Sequence, residues 1–103
     1  MLAYVASPVL VEVSVVSCRL TGNETFGKEL SDKVKEGCIV LNDLIWLEPS
    51  IEIGARIKRC SGFDCVIYTC AVITQTPLIT NDQGLNEICK RQGHKTYFLR
   101  EMI

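Results

Sequence analysis

The chain contains one histidine, and none of its six cysteines forms a C-x-x-C pair. That spacing gives a zinc centre weak support. It also carries no G-x-G-x-x-G segment and no phosphate-loop pattern, the two glycine-rich signatures of nucleotide binding. No apolar run is long enough to cross a bilayer. The apolar N-terminus, Met1 to Val16, has Glu12 in its middle and lacks a basic leader, which argues against a signal peptide and makes the cytoplasm the expected location. There is no excess of either charge: the net charge is -1, so any nucleic-acid contact must be local or supplied by a partner. Repeats, low-complexity stretches and linkers are missing as well, and 103 residues fit a single domain spanning 1–103.

What is present is enough apolar sequence to build a core. Apolar residues make up 48% of the chain and charged residues 22%. A chain of this size buries roughly two-thirds of its unfolded surface. The cysteines Cys18, Cys38, Cys60, Cys65, Cys70 and Cys89 read most simply as free thiols used as small apolar side chains. Disulfides are the alternative, as in some intracellular proteins of hyperthermophiles.

Leu2–Ala6 reads as a short strand. Ser7-Pro8 has the form of a helix start, with serine as cap and proline at the first helical position. This helix is expected to run from Pro8 to about Leu20 and to stop near Gly22. Glu12, Val15, Val16 and Arg19 share one face of it. Lys28 to about Glu36 alternates charge in helical fashion, and Gly37 ends it. Cys38–Leu41 suits strand or helix equally. Leu44–Leu47 reads as a strand, and Glu48-Pro49 as the start of a helix to about Arg59. Phe63 to about Thr74 is the most apolar helix. Pro77–Thr80 is a buried strand, Asp82 to Gln92 a helix closed by Gly93, and Thr96–Leu99 a last strand. Strands alternating with helices imply an α/β fold with a mainly parallel sheet.

The chemistry sits in three acids set against apolar sequence: Glu12, Asp64 and Asp82. Each has an ordinary reading, as a helix-surface acid or a first-turn acid favoured by the helix dipole. Together they suggest a divalent-cation site. Clustered carboxylates repel and need a cation or a shared proton. Hard oxygen ligands suit magnesium or manganese. Such an ion holds a phosphodiester and lowers the pKa of a bound water. Thr80 and Asn81 are placed to orient a carboxylate, water or phosphate. His94, just past Gly93, fits a surface or capping role. Nothing places it as a base for Cys65 or Cys70. Lys90, Arg91, Lys95 and Arg100 form a modest basic group, either solvated or in contact with an RNA backbone.

Three segments resemble the PIN-domain family, including its VapBC-type toxin nucleases. Ser7–Val13 looks like that family's strand-to-helix segment with a helix-borne glutamate. Gly62–Ala71 is similar to its helix opening with a metal-binding aspartate. Pro77–Leu85 looks like its T-x-D motif. The resemblance implies a three-layer α/β/α fold and cleavage of single-stranded RNA with Mg2+ or Mn2+, with Glu12, Asp64 and Asp82 as the metal and catalytic acids. It further implies a homodimer inhibited by a cognate antitoxin protein. It also implies a central strand ending in a further aspartate ahead of what stands here as the first strand, so the PIN-like fold is expected to be N-terminally truncated. The leading expectation is a PIN-type metal-dependent endoribonuclease. The alternative is a non-catalytic PIN-like module that binds RNA or a protein. A thiol-based redox or structural role rests on the cysteine count alone.

Overall fold

A computed structural model describes residues 2–102. One or two helices separate each short strand from the next, and the strands pair in parallel, so the fold is α/β. The chain divides into two compact units, Met1–Ile45 and Trp46–Ile103.

The first unit opens with strand β1 (Tyr4–Ala6), helix α1 (Ser7–Thr21), helix α2 (Glu24–Gly37) and strand β2 (Ile39–Leu41). The expected strand Leu2–Ala6 is therefore shortened to three residues. Helix α1 forms despite its valines and ends at Gly22, whose φ of 68° is the left-handed conformation glycine adopts without strain. Its cap is Ala6 rather than Ser7, and no side chain fills that role; Ser7 is the first helical residue instead. Helix α2 starts earlier than its charge pattern suggests. Asn23 Oδ1 accepts the Phe26 amide at 3.0 Å, and this side-chain cap draws Glu24–Gly27 into the helix. The segment that suited strand or helix equally becomes β2, pairing in parallel with β1 in the register Tyr4 to Ile39 and Ala6 to Leu41. Ala6 and Leu41 are buried.

Helices α1 and α2 touch through small residues. A β-carbon on Gly27 would stand 2.7 Å from the Ser14 carbonyl oxygen and 3.2 Å from Cys18 Cβ. Ser31 Oγ donates to the Leu10 carbonyl at 2.7 Å. Ser14 and Ser17 of α1 bond back to its own carbonyls. Ser17 is buried and donates back to the Val13 carbonyl, while Ser14 donates to the Val11 carbonyl. The outer face is formed by Val11, Glu12, Val15, Arg19 and Leu20.

Helix α3 (Asp43–Arg56) overturns the expected strand at Leu44–Leu47. Asn42 Oδ1 accepts the Leu44 amide at 3.1 Å and the Asn42 carbonyl accepts the Ile45 amide at 3.0 Å, so a helical turn is nucleated ahead of the apolar tetrad. Pro49 then lies inside the helix, where it removes one i to i−4 bond, rather than starting it. The helix also ends before Arg59, which has a left-handed φ of 59°.

The second unit continues with α4 (Gly62–Thr74), β3 (Leu78–Thr80), α5 (Gln83–Gln92), β4 (Thr96–Phe98) and α6 (Leu99–Met102). Leu99 belongs to α6, not to the last strand. Strand β3 pairs in parallel with β4, Leu78 to Thr96 and Thr80 to Phe98. Tyr68 of α4 and Leu85, Ile88 and Cys89 of α5 form the buried core, with Ile53, Ile57, Ile67, Val72 and Leu78 packed on it. Among the described residues the strands make two separate two-stranded sheets rather than one mainly parallel sheet. The residues expected to supply an intervening strand, Leu44–Leu47, are helical.

The close approach at Gly27 gives the first unit a position that tolerates no side chain. Gly27→Ala is expected to destabilise the protein by about 1–3 kcal/mol through overpacking against backbone. Gly37→Ala, where an added β-carbon meets nothing within 4 Å, is expected to stabilise it by up to about 1 kcal/mol. Urea midpoints at unchanged m-value measure both.

Candidate functional site

Two of the three acids share the second unit, and local backbone chemistry holds each. Strand β3 ends at Thr80, a buried residue whose Oγ1 accepts the Asp82 amide at 3.0 Å. This turns the chain sharply after the strand. Asp82 becomes the cap of α5, its Oδ2 accepting the Leu85 amide at 3.0 Å. The carboxylate is thereby fixed just past the carboxyl end of a parallel strand, where α/β folds gather ligands. Thr80 thus positions the Asp82 backbone, and Asn81 between them is exposed.

Asp64 is placed in the same way. Ser61 caps α4, its hydroxyl accepting the Asp64 amide at 3.0 Å and its carbonyl accepting the Cys65 amide at 2.9 Å. Asp64 therefore lies in the first turn of α4, half-buried. Its carboxyl is held above the usual carboxylate range, first by partial burial and second by the negative charge of Asp82; a hydrogen bond with Ser61 pulls in the other direction. The two acids therefore feel each other's charge. Glu12 belongs to the first unit, exposed on α1. Among the described residues no group of three or more His, Cys, Asp or Glu side chains is placed to hold a metal ion.

The remaining candidates take structural roles. All six cysteines are free; Cys65, Cys70 and Cys89 are buried. Burial pushes the Cys70 thiol up to about 11, and burial followed by the neighbouring Cys65 and Asp64 does the same to Cys60. Both thiols stay protonated at neutral pH, a poor state for nucleophilic or redox chemistry. The half-buried His94 bonds through Nε2 to the Thr76 carbonyl at 2.8 Å and stacks edge-on against Tyr68, with centroids 5.8 Å apart. Of the basic group, Lys95 and Arg100 lie over the rings of Tyr97 and Phe98 at 5.3 and 5.9 Å. Lys90 and Arg91 instead line a groove of about 390 Å3 with Arg59, Gly84 and Glu87. Arg59 lies far from them in sequence, so no local charge pattern could have grouped it with them.

Among the described residues no helix is long and apolar enough to cross a membrane. No family model, no curated protein and no solved structure matches the chain.

Magnesium characteristically binds through one or two carboxylates and keeps several waters. Neutralising Asp82 removes one of the two causes raising the Asp64 carboxyl. In Asp82→Asn the Asp64 titration is expected to move to lower pH, read from its side-chain carbonyl carbon by NMR. Asparagine caps helices about as well as aspartate, so α5 is preserved.

Proposed function

We propose that this chain is a PIN-type, Mg2+- or Mn2+-dependent endoribonuclease whose working acids are Asp64 and Asp82. The observation that supports it most is the electrostatic coupling of these two carboxylates at the N-terminal ends of α4 and α5. Both match the motif positions of the resemblance. The reading carries with it a three-layer α/β/α PIN-like fold, for which the strand–helix alternation and the parallel pairing are the support. It likewise carries Glu12 as a further acid, single-stranded RNA as substrate, a homodimer, an antitoxin partner and a cytoplasmic location.

Asp64 and Asp82 would hold the ion. Once bound, the ion supplies charge for a phosphodiester oxygen and a more acidic water. The protein's own part is positional. Thr80 Oγ1 and the Leu85 amide fix Asp82, and Ser61 fixes the turn that bears Asp64.

A second reading, a non-catalytic PIN-like module that binds RNA or protein, is favoured by the coupling of two acids where the resemblance calls for more. The two readings separate in one experiment. Wild-type protein is expected to bind Mn2+ by calorimetry and to cleave single-stranded RNA only with Mg2+ or Mn2+. Asp82→Asn is expected to lower cleavage by about a hundredfold or more. Equal degradation by both proteins would mark a contaminating nuclease and end the enzymatic reading. RNA binding without Mn2+ binding would establish the module.

A further inference from the structure

The groove lined by Arg59, Gly84, Glu87, Lys90 and Arg91 concentrates positive charge on a chain whose net charge is -1. Its lining holds three cations against one acid, Glu87, which takes a hydrogen bond from Gln83 Nε2 at 3.2 Å and pairs with none of the three. Lys90 has only a loose, exposed pairing with Glu101 at 3.9 Å. Among the described residues neither Arg59 nor Arg91 has a carboxylate within ion-pair distance. Arg91 Nη1 donates to the Lys58 carbonyl at 3.2 Å, which anchors the guanidinium without neutralising it. That bond ties α5 to the segment where Arg59 adopts its left-handed φ of 59°, a conformation side-chain-bearing residues seldom take. The groove also borders Asp82: a β-carbon on its Gly84 would stand 3.5 Å from Asp82 Oδ2. No aromatic ring lines it, so it offers charge and no stacking surface for bases.

We propose that Arg59, Lys90 and Arg91 form a phosphate-binding subsite for the backbone of a single-stranded nucleic acid, seating phosphates that flank the one presented to Asp64 and Asp82. The inference rests on the proposed nuclease reading for its substrate, but the groove itself does not depend on that reading. It contacts phosphate and not base edges, so it positions the strand without selecting a sequence. Three phosphate contacts correspond to a slope of about −2 in log affinity against log salt for a single strand.

The test is fluorescence anisotropy with a labelled single-stranded oligoribonucleotide in EDTA, where cleavage cannot occur. Wild-type protein is expected to bind with a slope of about −2. Arg59→Gln with Lys90→Gln is expected to bind at least about tenfold more weakly, with a slope of about −0.7. Arg59→Lys with Lys90→Arg, which keeps both charges, is expected to restore affinity, and circular dichroism verifies folding of each variant. In a separate assay with Mn2+, Asp64→Asn with Asp82→Asn is expected to lose cleavage, and in EDTA it is expected to bind the strand at least as tightly as wild type, since two charges that repel phosphate are gone. Unchanged affinity and slope in the Gln variant, or no binding by wild type, overturns the subsite. Displacement of the strand by inorganic phosphate at equal phosphate concentration also overturns it, since the groove would then be a pocket for one free anion. Loss of binding in the Gln variant without any metal-dependent cleavage by wild type keeps the subsite and removes the nuclease reading.

Discussion

The bond from the Leu85 amide to Asp82 Oδ2 is the constraint from which the second unit's chemistry follows. It ends the turn after β3, begins α5 and immobilises a carboxylate in one short segment. The first amides of any helix need acceptors, and here an acid supplies one. The same residue then imposes its charge on Asp64, which a serine cap holds half-buried at the start of α4. Stability and reactivity are therefore joined. The group that secures the helix also adds, after burial, to what raises its neighbour's carboxyl.

The elements that sequence reading located best are those whose boundaries are set by local side chains. Gly22 and Gly93 adopt the left-handed cap conformation expected of them, and Asp82 opens its helix. The segment Leu44–Leu47 misled because four apolar residues carry no period that separates strand from helix. What decided it was the Asn42 cap, with a helix that accommodates Pro49 in its interior. Strand pairing was illegible for another reason. Three-residue strands hold too little pattern to name their partners, so a division into two parallel pairs could not be read from composition.

The candidate site was legible in the same uneven way. Asp64 and Asp82 were visible because each sits at a helix start beside apolar sequence, and the charge of Asp82 reaches Asp64. Thr80 was expected to orient a carboxylate, water or phosphate; its hydroxyl instead accepts the Asp82 amide. Glu12 stood out by contrast with its valines, yet the helix gives it an exposed face on which an acid needs no explanation. The basic group was read by proximity along the chain. Folding redistributed it, leaving Lys95 and Arg100 against aromatic rings and exchanging them for Arg59.

The two parallel pairs differ in how far the chain must travel to make them. Tyr4 meets Ile39 across two helices, whereas Leu78 meets Thr96 across one, roughly half the sequence separation. Each doubling of a closed loop costs about 0.6 kcal/mol more in chain entropy. The β3–β4 ladder is thus the easier to nucleate, and its intervening helix is the one that Asp82 starts. The Asp82 cap therefore lies inside the shorter of the two crossovers.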